Sequence, residues 1–348
     1  MSDRTIRAGF VGAGNNTRRR HIPGFRALPG IELVAVANRT KESGERVARE
    51  FGIARAYDDW RDLVRAGDVD AICIGTWPSM HCAVTLAALE HGKHVLCEAR
   101  MAMDAAEGRR MLDAARRAPQ LVAQLVPAPH TLEVDATLQA LLAEGYVGEV
   151  LAVELQAAQG RFVDPDEPLH WRHDASLSGL NTLNMGIWYE AMMRWLGPAR
   201  RVMAMTKVAV PRRRAADGAW HEVRVPDHVD ILATLLGGGA VAHLRFSSVT
   251  ALAPPSEVWI FGTDGTLRLE ADARRLWGGR RGDRQLHEIP IPAEQRVGWR
   301  VEEEFVNAIR GREKVSRTTF EDGVRYMEFT EAVARSAALG HAVDVADL

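Results

Sequence analysis

The stretch Ile6-Arg7-Ala8-Gly9-Phe10-Val11-Gly12-Ala13-Gly14-Asn15-Asn16-Thr17 decides the fold. Its first six residues form an apolar run and read as a short strand. Gly12 permits a tight turn, and Gly14 lets backbone approach a bound group closely. A helical stretch to Leu28 follows. A helix N-terminus behind two such glycines offers amide donors and a partial positive charge, which together suit a pyrophosphate. Thr17 stands where the third glycine of the dinucleotide fingerprint falls.

Outward from this stretch the same unit recurs. Ile31 to Ala37 is a second apolar run, followed by Thr40 as an N-cap and Gly52 at the C′ position of a helix. Asp70 to Gly75 is a third run, with Ser79 capping a helix that stops at Gly92. His94 to Cys97 is a fourth, and Asp104 with Glu107 suggests a capping box for a helix to about Arg117. Leu121 to Val126 is a fifth. Near-continuous apolar strands alternating with helices predict a parallel sheet covered on both faces, a doubly wound Rossmann α/β domain over residues 1–126. Five such units around one glycine turn predict that this domain binds a dinucleotide.

From residue 127 the rhythm changes. A helix is expected over Val134 to Glu144, a strand over Val150 to Gln159, and a helix over Leu183 to Leu196 before Gly197-Pro198. Strand candidates then follow one another: Arg201 to Val208, Asp230 to Leu236, Ala240 to Thr250, Glu257 to Phe261 and Thr266 to Glu270. Turn dipeptides Asp217-Gly218 and Asp264-Gly265 lie between them. Helices near Val301 to Arg310 and Phe320 to Leu339 finish the chain. Strands without intervening helices predict an open, mostly antiparallel α+β domain over 127–348, whose last helices can pack back on the first.

Composition narrows the class. The 348 residues are 47% hydrophobic and 26% charged, as in globular proteins generally. Lys and Arg number 44 against 46 Asp and Glu, a net charge of −2 that gives no pull toward nucleic acid or acidic lipid. No apolar run reaches the ~18 residues of a membrane helix, and Met1 to Arg7 leaves no room for a secretory leader. Cys73, Cys82 and Cys97 lie in apolar surroundings, which argues against a disulfide framework or a zinc cage. A cytoplasmic location is expected.

The end of the second strand bears on cofactor choice. Enzymes that prefer NAD usually carry an acidic residue there for the ribose 2′-hydroxyl. Asn38-Arg39-Thr40-Lys41 offers an amide, a hydroxyl and two cations instead. Arg39 can stack on adenine and pair with a 2′-phosphate, which favours NADP slightly over NAD. The alternative is a solvated basic turn.

Taken together, these features resemble the glucose–fructose oxidoreductase/inositol dehydrogenase (Gfo/Idh/MocA) family over essentially the whole chain. The residues that carry the likeness are Gly12-Ala-Gly-Asn15, Thr76-Trp77-Pro78-Ser-Met-His81 and Gly92-Lys-His-Val-Leu-Cys-Glu98. Farther on come Trp171-Arg172, Gly179, Asn184-Met-Gly186 and Gly262-Thr-Asp-Gly265-Thr-Leu. The resemblance implies an NAD(P)-dependent oxidoreductase of sugars, inositols or related polyols. It also implies association into homodimers or homotetramers through the outer face of the second domain's sheet, here carrying Val241, His243, Arg245 and Ser247. Cofactor contacts fall by the resemblance on Gly12, Gly14, Asn15, Asn38, Arg39, Thr76, Trp77, His81, Glu98, Trp171 and Arg172. Asn184, Trp188 and His173 are placed toward substrate.

The family's catalytic signature is altered. Its Glu-Lys-Pro motif reads Glu98-Ala99-Arg100, and its Asp-x-Gly-x-His-x-x-Asp segment reads Asn184-Met-Gly186-Ile-Trp188-Tyr-Glu190-Ala191. The lysine, histidine and both aspartates are therefore Ala99, Trp188, Asn184 and Ala191. Hydride transfer from an alcohol needs a group to take the hydroxyl proton, and Ala, Asn and Trp cannot do so. Tyr189, Glu190, His170, His173 and Arg100 are the candidates to replace it. On a helix Trp188 shares a face with Asn184, while Tyr189 lies about 140° and Glu190 about 240° round from it. Two further readings stand beside the oxidoreductase: a glycoside hydrolase or lyase that uses the nicotinamide without net redox, and a cofactor-binding sensor without chemistry. His170, His173 and Asp174 lack the fixed spacing of a metal site, so no metal is expected.

Overall fold

Six short strands build the first sheet in the computed structural model, which describes residues 4–158 and 161–348. They are β1 (Ile6–Val11), β2 (Ile31–Ala37), β3 (Arg55–Tyr57), β4 (Ala71–Ile74), β5 (His94–Cys97) and β6 (Ala123–Leu125). All pair in parallel, in the order β3-β2-β1-β4-β5-β6. The order reverses between β1 and β4, and ligands of doubly wound sheets bind at the carboxyl ends of strands at that reversal. The strand ends in question are Gly12 and Gly75.

The chain divides into two units: residues up to 127 with Arg300–Val324, and Ala128–Trp299 with Arg325–Leu348. The helix Val301–Ile309 therefore belongs to the first unit, where Phe305 continues an aromatic line from Phe10 through Phe25. Ring centroids along it are 5.9 and 6.1 Å apart in edge-on geometry. All three rings are essentially inaccessible, so each contributes about 2–3 kcal/mol of apolar transfer. Cys73, Cys82 and Cys97 are free and buried, and burial pushes their thiols up, away from reactivity.

Local chemistry accounts for most boundaries. Thr40 accepts from Ser43 N at the start of the helix Lys41–Phe51, and Gly52 closes it at φ 57°. Asp104 caps Ala105–Arg117 through Glu107 N, but the Glu107 carboxylate reaches back to Met103 N rather than to Asp104. Ser79 is not a cap. The helix Pro78–Glu90 starts at proline, which occupies N1 at no hydrogen-bond cost, and Trp77 is its N-cap. β3 and the helix Trp60–Arg65 are additions to the elements expected from the sequence. Three residues are too few to show periodicity, although Asp59 caps that helix in the expected way. The first helix opens with a π-turn, Thr17–His21, before Ile22–Arg26.

The second unit carries β7 (Val150–Ala158), β8 (Ala199–Lys207), β9 (Arg212–Arg214), β10 (Trp220–Glu222), β11 (His228–Leu235) and β12 (Val241–Ser247). After these come β13 (Glu257–Gly262), β14 (Gly265–Glu270), β15 (Arg275–Arg280), β16 (His287–Ile289) and β17 (Val343–Asp344). Nine of them form one sheet in the order β16-β15-β14-β13-β7-β12-β11-β8-β17. Only β7 with β12 is a parallel pair; every other neighbour is antiparallel. The expected end of β7 at Gln159 lies outside the described residues. Alternation buries one face (Val202, Ala233, Ala242, Val153, Ile260) and leaves Met203, Leu232, His243 and Trp259 on the other. Val241 is exposed on that face, whereas Ser247 is buried.

Candidate cofactor and active site

Gly12 lies at φ 82°, where a side chain is strained, and a Cβ there would stand 2.6 Å from Thr76 Cγ2 and 2.7 Å from Thr76 N. A Cβ at Gly75 would come within 2.0 Å of Thr17 Oγ1 and 2.3 Å of Gly12 O. The turns after β1 and β4 thus press backbone against backbone. Gly14 differs. It is exposed, and its Cβ would meet only Gly75 O, at 3.5 Å. Room above Gly14, with Asn15 exposed beside it at the start of the helix, is what a pyrophosphate needs.

The turn is braced from β2. Asn38 Oδ1 accepts from Ala13 N at 2.7 Å, and its amide nitrogen donates to Ser43 Oγ at 3.0 Å. Asn38 is therefore committed to the loop, and the cation beside it does the reaching. Exposed Arg39 lies 5.5 Å from the Trp77 ring centroid, a cation–π pair across the ends of β2 and β4. Thr76 Oγ1 is buried without a hydrogen-bond partner. His81 is fully buried and lies between Thr76 O (3.1 Å) and Arg100 O (2.9 Å), joining the two segments, with burial lowering its pKa.

Glu98, after β5, sits in a buried charged cluster. Its Oε1 accepts from Asn16 and from His21 Nε2 (2.9 Å), and its Oε2 accepts from Ala99 N at 3.2 Å. The other nitrogen of His21 meets Glu302 Oε1 at 2.5 Å. Burial alone lowers the His21 pKa, but hydrogen bonds to Glu302 and Glu98 outweigh it and raise the pKa to about 9. Burial likewise opposes the Glu98 charge, and the His21 contact overcomes it and lowers that pKa. The π-turn places Asn16 and His21, five residues apart, on this one carboxylate. His21 and Glu302 were not picked out from the sequence, since their 281-residue separation leaves no local signal.

In the second unit, Asn184 is the N-cap of the helix Met185–Leu196 and is half-buried. Trp188 follows one turn later, buried, its indole Nε1 without a hydrogen-bond partner. Tyr189 is inaccessible: its ring stacks on Phe329 at 3.6 Å and its oxygen accepts from Ala199 N at 2.8 Å. Burial pushes its pKa upward. Glu190 is buried too, with Oε2 accepting from Ala128 N (3.0 Å) and Oε1 paired with Arg194 at 2.5 Å. Arg194 also pairs with Asp135, which accepts from Trp195 Nε1 at 2.8 Å. Both expected acid–base substitutes are thus built into packing and ion pairs. Buried Arg100 is no better suited, because a guanidinium does not give up its proton near neutrality.

His170 and His173 form a local turn. His170 Nδ1 accepts from Arg172 N at 3.3 Å, and His173 Nδ1 accepts from His170 N at 3.4 Å. Burial lowers both pKa values. Exposed Arg172 lies 4.2 Å over the half-buried Trp171 ring, so the two side chains stack. Among the described residues no three His, Cys, Asp or Glu side chains are grouped to hold a metal ion. No described helix is long and apolar enough to cross a membrane.

A parallel sheet with a glycine turn at its reversal, followed by a nine-stranded mixed sheet, defines a dinucleotide-binding oxidoreductase architecture. The chain belongs to the Gfo/Idh/MocA oxidoreductase family. Residues 6–124 match its NAD-binding Rossmann domain and 136–268 match its C-terminal domain. A 1,5-anhydro-D-fructose reductase of Ensifer adhaerens is 27% identical over 97% of this chain and 98% of its own. A levoglucosan dehydrogenase of Pseudarthrobacter phenanthrenivorans is 28% identical over 67% of this chain and 58% of its own. A solved levoglucosan dehydrogenase, in complex with NADH and L-sorbose, superposes with a TM-score of 0.86 at 24% identity, covering 98% of this chain and 99% of that one.

Proposed function

We propose that the chain is an NAD(P)-dependent oxidoreductase acting on a sugar or cyclic polyol. The observation that carries the reading is the cradle after β1: Gly14 with room above it, the Asn38 brace beneath, and the unpartnered Thr76 hydroxyl beside it. Gly12, Gly14 and Asn15 hold the pyrophosphate by backbone. Thr76, Trp77 and His81 shape the pocket wall, and Glu98, oriented by Asn16 and His21, serves the nicotinamide-side ribose. When bound, the nicotinamide supplies the hydride acceptor or donor.

NADP is the favoured cofactor. Asn38 commits its carbonyl to Ala13 N and residues 38–41 carry no carboxylate to accept from a 2′-hydroxyl, while Arg39 can stack on adenine and pair with a 2′-phosphate. By the family likeness, Trp171 and Arg172 are assigned to the cofactor, and His173, Asn184 and Trp188 to the substrate. The exposed sheet face with Met203, Met205, Leu232 and Val241 supports a homodimer or homotetramer. Sedimentation at the mass of one 38.4 kDa chain would contradict that assembly. Titration of NADPH and NADH fluorescence tests the cofactor reading. Saturable binding in the micromolar range, tighter for NADPH, is expected; no binding of either at millimolar concentration removes it.

A further inference from the structure

We propose that Glu302 is a cofactor-positioning residue: it holds His21 as an imidazolium, and that cation fixes the Glu98 carboxylate for a ribose hydroxyl of the dinucleotide. The inference rests on the cofactor reading above and lies wholly within the first unit. Glu302 stands near the start of the return segment Arg300–Val324, which rejoins that unit after the excursion through the second. It belongs to none of the strand-end turns that ordinarily hold a dinucleotide.

Geometry assigns the protonation state. His21 is fully buried, with Nε2 2.9 Å from Glu98 Oε1 and Nδ1 2.5 Å from Glu302 Oε1. An ionised carboxylate only accepts hydrogen bonds, and a neutral imidazole has one N–H and one bare lone pair. A neutral ring would therefore set its lone pair against one of the two carboxylates. Only the imidazolium donates to both. Glu302 has little room to turn away, since a Cβ on Gly24 would already stand 2.7 Å from its carboxylate. Glu304, on the same helix, is engaged instead by Gln124 and Ser316.

Glu98 is the group so held. Its Oε1 accepts from Asn16 and His21, while its Oε2 accepts only from Ala99 N, at 3.2 Å. A carboxylate oxygen carries two lone pairs, so Oε2 keeps one for a ligand hydroxyl, and the side chain is 14% exposed. Loss of the His21 proton removes a donor from one of the two carboxylates and leaves two buried anions facing a neutral ring. The other groups around the cluster hold one charge through the alkaline range. Burial keeps the Cys73 and Cys97 thiols, on β4 and β5, well above their ordinary value, and keeps His81 neutral. Arg18, Arg19 and Arg20 on the histidine's own turn and Arg100 beyond Glu98 are permanent cations. Affinity for the dinucleotide should thus be present below the His21 pKa and fall as pH rises through about 9.

The test titrates NADPH fluorescence with the full-length wild type, His21→Gln and Glu302→Gln across the neutral-to-alkaline range, where the ligand's own phosphates are already ionised. Thermal scans at each pH keep the titrations below melting. Wild-type affinity should drop roughly 10–100-fold through about pH 9, the worth of one hydrogen bond to a charged group. His21→Gln should be weak throughout and show no step. Glu302→Gln preserves an acceptor without the charge, so its step should survive with a midpoint about 1–3 pH units lower. A purely structural role for Glu302 would not move that midpoint. On the wild type without cofactor, nitrogen-detected NMR should show one imidazole that keeps both ring protons at about pH 8, above the ordinary histidine range. Flat wild-type affinity through about pH 9, an unshifted step in Glu302→Gln, or no such doubly protonated ring would each overturn the proposal and leave the cofactor reading standing. A wild-type chain that binds neither NADPH nor NADH at millimolar concentration removes that reading, and the proposal with it.

Discussion

His21 Nδ1 lies 2.5 Å from a carboxylate oxygen of Glu302, 281 residues later in the chain. The helix Val301–Ile309 thereby delivers a buried anion to the underside of the glycine-turn helix, where His21 passes the interaction on to Glu98. Gly24 is required by this arrangement, since a Cβ there would sit 2.7 Å from the Glu302 carboxylate.

A pH dependence follows from that cluster. The His21 pKa is raised from 6.5 to about 9 in the folded chain, because its bonds to both glutamates outweigh the cost of burial. The imidazolium's contribution to stability is fully present below pH 6.5 and is lost as pH rises through about 9. Its size is roughly 3 kcal/mol. His21→Gln should lower the melting temperature at pH 6, and the gap from wild type should close as pH rises to about 9 and beyond. A constant gap between the two proteins over that window would contradict the buried imidazolium.

The two glycines of the turn should fail in different ways. Gly12→Ala places a Cβ against Thr76 backbone at a positive φ and should cost about 1–3 kcal/mol of folding stability. Gly14→Val places a Cβ in ordinary contact with Gly75 O alone, so melting should change little while NADPH binding is lost. Thermal scans paired with fluorescence titration separate these outcomes. Equal thermal damage in both would mean that the space above Gly14 is not as found.

Arg39→Ala should weaken NADPH by about 10–100-fold, as expected for loss of a charge-assisted phosphate pair, and NADH by much less. Equal losses would show that Arg39 serves only to stack on Trp77.

Tyr189→Phe should cost about 1–3 kcal/mol of stability, because it leaves the buried Ala199 N–H without its acceptor. Turnover at a permissive temperature should stay within a factor of two. A hundredfold loss of kcat with KM unchanged would restore Tyr189 as a proton carrier.

Much of this was legible in the residues, and the gaps have physical causes. The glycine turn, the Thr40 and Gly52 caps and the β13–β14 hairpin at Asp264-Gly265 each rest on local backbone chemistry, which neighbouring residues encode. β3 and β16 span three residues each and carry no period to read. Site residues divide along the same line. Gly12, Gly14 and Asn38 act through their own turn, whereas His21 and Glu302 meet only through tertiary packing. Helical geometry warned that Tyr189 and Glu190 turn away from the Asn184 face, and the structure places both in the core.

The most direct measurement incubates the protein with NADP⁺ or NAD⁺ and a panel of free sugars, cyclic polyols and glycosides. It follows the reduced-nicotinamide absorbance band together with aglycone release. Stoichiometric cofactor reduction is expected with at least one free sugar or polyol, faster with NADP⁺ at limiting cofactor. Aglycone release without accumulating reduced cofactor, or tight dinucleotide binding with no reaction across the panel, would contradict it.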